Sequence, residues 1–482
     1  MSQELILNDR LTEQTYQKNN FNPSSEDSKF SYTSARVGKP LYNTYEKNDF
    51  KVFGYYTDGC QYDSRLDGQY EEAGRGRDLM NVNPEAYDKI IIGFCGIVGD
   101  QGEKKEAIQR AAKELNKKDN EPIFIDSWGD LLSFRNVGFD GWLSSDVLEC
   151  FSQNKCQGLL GGLRKLKEKN PNLVISLSIG GRELSRPFHE LVKSSEKRTT
   201  FANGVADLLK RFPMIGEIDL DWEYPGDDGS EDPKNFAELI KNVKSSLSSN
   251  SRNDVKISIA ASGNIKKIQA ANIPLLMEAG VSYIKIMTFD FFGTPWSDSL
   301  AHHTNLKSNP QDQTSFGIDV VVNYLIHELM IPSKSLFIGY AAYSRNAKNA
   351  VISSSSPLRG SYSPLEDTVG TFESGVTEYY DILNNYLDFN SKSGKNDFTL
   401  FTDKVGDADF LYNANSMVFM SIDTPRSVKS KGEYVVRNNL GGLFTYTIDQ
   451  DHGLLLNAAR EGLGNVITKK ELDMSEYYFS GR

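Results

Sequence analysis

Three acids stand two residues apart in one stretch, Asp219, Asp221 and Glu223, inside Ile215-Gly216-Glu217-Ile218-Asp219-Leu220-Asp221-Trp222-Glu223-Tyr224-Pro225. From Ile218 to Glu223 apolar and acidic residues alternate strictly, which is the period of a β-strand. That period puts the three carboxylates on one face and Ile218, Leu220 and Trp222 on the other. Same-face neighbours on a strand are about 6–7 Å apart, so on a half-buried strand the charges repel. Burial and repulsion raise at least one carboxyl pKa and leave a proton to share, which is the equipment of a general acid. A merely solvated acidic strand fits poorly with the wholly apolar opposite face. A metal site fits poorly too, because no His is nearby and a single strand supplies every ligand. Pro225 and Gly226 end the strand, so Glu223 falls at its rim, with Asp221 and Asp219 progressively deeper.

Positioning such a stack calls for a sheet whose strand ends gather at one mouth. From Lys51 onward short apolar runs alternate with helix-like stretches. Strands are predicted at 52–56, 89–94, 173–179, 216–223, 256–261, 283–289, 336–341 and 442–448. Helices are predicted between them, for example at 159–169, 197–212, 233–247 and 317–328. Eight buried strands interleaved with helices predict an α/β fold, an eightfold (β/α) TIM barrel whose C-terminal rim carries the site. Residues 346–420, with Ser353-Ser354-Ser355-Ser356-Pro357 and further strand-like pieces, interrupt the last two strands. They read as a small α+β insertion beside the cleft, leaving 51–345 and 421–482 to the barrel. Residues 97–172 carry extra polar sequence with Trp128 and Trp142. Residues 1–50 are polar and weakly periodic, and are expected to form an arm or docking segment rather than core.

The net charge of −11 argues against nucleic acid and anionic membrane as partners and favours a neutral or cationic substrate. The 23 Tyr and 26 Phe suit sugar-stacking surfaces as well as ordinary packing. No apolar run approaches transmembrane length. Cys60, Cys95, Cys150 and Cys156 show no CxxC pair; Cys150 and Cys156 could bridge in an oxidising place, but the plain expectation is free thiols. The N-terminus lacks a basic region followed by an apolar run, so no secretory signal peptide is expected. Action outside the cell would use another route; otherwise the protein is cytoplasmic.

Asp219-x-Asp221-x-Glu223-Tyr224-Pro225, preceded by Ser178-Ile179-Gly180-Gly181, resembles the signature of the family 18 glycoside hydrolases, the chitinases. Met287-Thr288-Phe289-Asp290 with Gly293 and Trp296, then Tyr343-Ser344-Arg345, then Gly441-Gly442-Leu443-Phe444 follow in the family's order. Gly370-Thr371-Phe372-Glu373-Ser374-Gly375 is similar to the family's inserted subdomain, and the likeness covers about residues 51–465. It implies hydrolysis without metal or cofactor, in which the sugar's own 2-acetamido group attacks the anomeric carbon and no carboxylate nucleophile is used. Carried over, Glu223 protonates the glycosidic oxygen and then acts as base toward water. Asp221 bonds the acetamido N–H and stabilises the oxazolinium ion, while Asp219 shares a proton with Asp221. Asp290 helps hold the acetamido group and the distorted ring, and Ser178 supports the base of the stack. Met287, Tyr446 and Arg345 join them in binding substrate. Trp296, after Gly293-Thr294-Pro295, is expected at the cleft, and Tyr55, late in the first strand, is expected to line the pocket, with core packing the rival reading for each.

The sequence departs from the family pattern at several places. Gly216 stands where a further Asp is usual, Phe289 where a Tyr hydroxyl meets the acetamido oxygen, and Tyr446 where a Trp floors the cleaved sugar's subsite. Arg182 and Gly59 occupy places where Trp is common. One lost orienting hydrogen bond costs about 1–3 kcal/mol in the transition state, yet none of the changes removes the acid. The resemblance therefore implies a retaining chitinase acting on β-1,4-linked N-acetylglucosamine polymers. One rival is a lectin that kept the barrel and lost catalysis, but such lectins usually have the terminal Glu replaced. Another is an endo-β-N-acetylglucosaminidase acting on N-glycans; the insertion, by deepening the groove, favours an extended chitin chain instead. The long N-terminal segment and the missing signal peptide fit a subunit of a larger assembly, like the chitinases associated with bacterial insecticidal toxin complexes.

Overall fold

The computed structural model of the chain describes all residues except 1–4, 6, 8, 26–28, 67–73 and 313–315. Its centre is a closed ring of eight parallel strands: β1 (Lys51–Thr57), β2 (Lys89–Ile97), β3 (Val174–Gly180), β4 (Ile215–Asp221), β5 (Lys256–Ser262), β6 (Tyr283–Met287), β7 (Leu336–Ala341) and β8 (Gly442–Tyr446). Each strand pairs with its sequence neighbours, and β8 returns to β1. Helices pack outside. The helix Asp232–Ser249, which follows β4, has Pro near its start and buries Phe236, Leu239, Ile240, Val243 and Leu247, the spacing of one helical stripe. The outward face of β4 meets that stripe: Trp222 lies 5.2 Å from Phe236 and stacks on Phe188 at 5.6 Å. That contact accounts for the apolar half of the alternation.

Three strands are shorter than expected. β4 stops at Asp221, and the amide of Glu223 donates to Ser185 Oγ instead of extending the ladder. β6 stops at Met287 because the Thr288 hydroxyl takes over, accepting from Gly339 N at 2.7 Å and donating to Gly339 O at 3.1 Å. β8 stops at Tyr446, and a 3₁₀ turn begins at Ile448.

Between β7 and β8 lies an antiparallel sheet. Its strands run in the order Leu358–Ser363, Tyr343–Ser355, Val418–Ile422, Ala408–Asn413 and Thr399–Asp403, with the helix Tyr379–Asn385 between strands in sequence. The sheet spans a little more than 346–420, because Tyr343 pairs with Glu378 almost as soon as the chain leaves β7. Phe292, Leu300, Ala347, Ala350, Phe410 and Phe419 form its own apolar core.

Described residues before Lys51 are fastened to the body of the chain rather than standing off it as an arm. The helix Arg10–Lys18 is capped by Asp9, whose carboxylate also holds Arg65. Ser31 Oγ donates to Asp381 Oδ2 at 2.6 Å, and Thr44–Glu46 pairs antiparallel with Val466–Lys469. Leu41 and Tyr42 are buried. Ser31, Asn43 and Tyr45 all bond partners far along the chain, so much of the segment's polarity serves hydrogen bonding rather than freedom from the core.

Candidate active site

The inward face of β4 carries Glu217, Asp219 and Asp221, with Glu223 just beyond the strand end. At the C-terminal mouth opens a cleft of about 1610 Å³, lined among others by Asp221, Glu223, Asp290, Phe289 and Tyr446. Asp219 is fully buried and Asp221 almost so; Glu223 is half-buried at the opening. Deep in the barrel Lys89 on β2 pairs with Glu217 at 2.5 Å, its Nζ 3.7 Å from the centre of the Phe53 ring. One layer up, Asp219 is the hub. Its Oδ1 accepts from Lys285 Nζ at 2.7 Å and Ser258 Oγ at 2.9 Å, and its Oδ2 from Ser178 Oγ at 2.8 Å and Tyr55 OH at 2.9 Å.

These surroundings push neighbouring acids apart. Burial alone would raise Asp219, but Lys285 and the two serine hydroxyls hold it below the ordinary aspartate range. Asp221 is raised well above that range, by burial first, then by Glu223 and Asp219; its Oδ1 has no partner among the described residues. Glu223 is also raised by burial, with Arg182 and Lys267 pulling the other way. A buried carboxyl that keeps its proton, beside a second carboxyl and open to a cleft, can serve as a general acid. Among the described residues no hydrogen bond joins Asp219 to Asp221, because both Asp219 oxygens accept from these other donors.

Asp290 forms a second cluster across the mouth. Its Oδ1 accepts from Arg345 Nε at 2.7 Å and Tyr343 OH at 2.8 Å, and its amide donates to His303 Nδ1 at 3.3 Å. Burial would raise its pKa, but Arg345 holds it low. Burial pushes the His303 imidazole down to about 3, so its Nδ1 is free to accept. Trp296 is 49% exposed in the cleft wall, with the Arg345 guanidinium 5.1 Å from its ring, so core packing does not describe it. Tyr55 is both buried and at the cleft floor. Met287 and Phe289 line the same floor, where Tyr446 packs 5.6 Å from Tyr55 and 6.2 Å from Phe289. Arg182 and Gly59 also line the cleft. Gly216 lies on the other face of β4, where an added Cβ would meet only Val174, at 3.8 Å.

Sequence reasoning brought Asp219, Asp221, Glu223, Ser178, Tyr55, Asp290 and Arg345 forward, and it overlooked Lys285, Glu217, Lys89 and Ser258. A signal was present. Lys285 sits between Ile284 and Ile286 on a buried strand, and Glu217 shares the parity of the three acids.

The described geometry is that of a glycoside hydrolase, and the chain belongs to glycosyl hydrolases family 18, which it matches over residues 51–451. Among known proteins it is similar to Chitinase 1 of Yersinia entomophaga, 42% identical over 97% of this chain and 90% of the relative. Chitinase 2 of the same organism is 39% identical over 99% and 82% of the two chains. A crystal structure of the chitinase Chi1, fitted into the Yersinia entomophaga toxin complex, superposes with a TM-score of 0.91 at 41% identity, covering 97% of this chain and 95% of that one.

Proposed function

We propose that the protein is a chitinase that cleaves β-1,4 linkages of N-acetylglucosamine polymers with retention, the substrate's acetamido group acting as nucleophile. The observation that carries this reading is Glu223, raised by burial and set at the mouth of the cleft directly past Asp221. Glu223 gives its proton to the glycosidic oxygen as that bond breaks, and the acetamido oxygen closes on the anomeric carbon. Asp221 faces the acetamido nitrogen and offsets the charge of the oxazolinium. Glu223, now ionised, takes a proton from water as that water opens the ring with net retention. Asp290, fixed by Arg345 and Tyr343, orients the reacting sugar, while Met287, Tyr446, Tyr55 and Trp296 supply the surfaces on which sugars pack.

Turnover of a fluorogenic chitobioside or chitotrioside by the wild type and by Glu223→Gln tests this. Loss of general acid–base catalysis lowers kcat by about 10²–10⁴-fold; equal rates in the two proteins would remove Glu223 from the reaction. The intact Glu223 speaks against a sugar-binding lectin that has given up catalysis. We further propose that the protein works outside the cell as a subunit of a larger toxin assembly. The support is its similarity to Chi1, whose structure was fitted into such a complex. Co-purification of the native protein with large partner subunits checks it, and a lone chain on size exclusion from its native source would count against it.

A further inference from the structure

Four donors surround Asp219, and they come from four different strands: Tyr55 from β1, Ser178 from β3, Ser258 from β5 and Lys285 from β6. Lys285 Nζ also donates to Ser258 Oγ at 2.9 Å, so that hydroxyl's hydrogen is directed at Asp219. Tyr55 OH and Ser178 Oγ have no other acceptor among the described residues. A proton placed on Asp219 would have to turn one of these hydroxyls round and leave its hydrogen buried without an acceptor, which is costly. Lys285 and Asp219 are both essentially inaccessible to water.

We propose that Lys285 is the positioning residue that decides where the mobile proton of the acidic stack resides: it fixes Asp219 as a permanent anion and confines the proton to Asp221 and Glu223. Glu223 holds that proton when the glycosidic oxygen takes it, leaving Asp221 ionised against the acetamido nitrogen; attacking water then returns a proton to Glu223. Asp219 takes no part in the exchange and acts as a charge-neutralised floor. The other groups facing the stack keep this arrangement balanced. Below Asp219 the Lys89–Glu217 pair adds no net charge, Tyr55 and Tyr446 flank it as neutral phenols, and above Glu223 lie Asp290 with its Arg345, and Arg182 and Lys267. With the lower pair neutral, Lys285 is the cation whose removal leaves Asp219 uncompensated beneath Asp221.

The inference rests on the substrate-assisted reading above and is tested by the pH profiles of kcat and kcat/KM on a fluorogenic chitobioside. Lys285→Met leaves Asp219 as a lone negative charge, so both limbs of the profile move to higher pH, by about one unit. Asp219→Asn leaves Lys285 as a lone positive charge, so both limbs move to lower pH. The double variant, neutral in that layer, falls between them and close to the wild type. A purely structural role would lower rates and unfolding temperatures without moving the limbs, and limbs that coincide in wild type, Lys285→Met and Asp219→Asn overturn the proposal. If Lys285→Met does not fold, limbs that move to lower pH in Asp219→Asn and return toward the wild type in the double variant still support the proposal, and limbs that stay put in both overturn it. An inactive wild type would instead sink the substrate reading.

Discussion

Phe289 puts a bare ring edge on the cleft floor, among Phe444, Tyr343 and Tyr446. A hydroxyl there would restore the donor that the family pattern places against the acetamido oxygen. Phe289→Tyr is therefore expected to raise kcat/KM by roughly 5–10-fold, the worth of one neutral hydrogen bond; an unchanged or lower value would mean that another group already fills that role. The titration of Glu223 gives a second expectation at this scale. Its carboxyl is raised by burial and lowered by the exposed Arg182 guanidinium, among others. The acid must be protonated to act, so activity falls as pH rises through its pKa. Arg182→Leu removes a lowering charge, so the alkaline limb moves to higher pH, by a few tenths of a unit for so exposed a cation. A limb that moves toward acid would contradict this.

Among the elements, β4 was the most legible, because apolar residues facing helices and acids facing inward write a period of two directly into the chain. The pair Gly180-Gly181 was legible only through the likeness to the family signature, and the structure supplies its reason. Gly180 has φ +117, and a Cβ there would come within 2.1 Å of the Asp221 carbonyl, so the tip of β3 approaches β4 only because it has no side chain. Lys285, though flanked by two isoleucines on a strand buried on both faces, could not be tied to Asp219 from the sequence, because the two meet only when the barrel closes. The strand ends were hidden because Thr288 and Ser185 replace ladder hydrogen bonds with side-chain ones, which periodicity does not report. Asp403 is a further device of this kind. It accepts from the amides of Leu358, Val405 and Gly406 and from Ser356 Oγ, with His302 Nε2 at 2.8 Å. Burial would raise its pKa, yet His302 and the amides hold it far below the ordinary value. A depressed carboxylate contributes stability above the unfolded pKa and loses it as pH falls through the folded one. Asp403→Ala is expected to cost about 1–3 kcal/mol of unfolding free energy at neutral pH, with the difference from wild type shrinking below pH ~4 as unfolded-state aspartates take up protons. A difference that persists undiminished in acid would refute this account of the clasp.

For the molecule as a whole, the barrel interior is the main surprise. Lys89, Glu217, Asp219 and Lys285 form two stacked ion pairs where aliphatic layers are usual. Burial lowers Lys89 to about 8 despite its partner. Lys89→Met would strand the Glu217 carboxylate and is expected to cost about 3–5 kcal/mol, whereas Lys89→Met with Glu217→Leu should be near neutral or stabilising. Chemical denaturation of both variants measures it, and equal losses would show that packing rather than charge pairing is at stake. The order of strands and the place of the insertion were readable from alternating apolar runs. The fastening of the described residues before Lys51 was not, because its partners, such as Asp381 and Val466–Lys469, lie hundreds of residues away and nothing local announces them.

One ribbon joins these scales. The thirteen-residue strand Tyr343–Ser355 begins with the two side chains that grip Asp290 and ends in a hairpin with Leu358–Ser363, of which Leu358, Arg359 and Gly360 overhang the groove. The rim of the groove and the grip on Asp290 are thus carried by one continuous strand, so a change at the hairpin and a change at Tyr343 or Arg345 act on the same element.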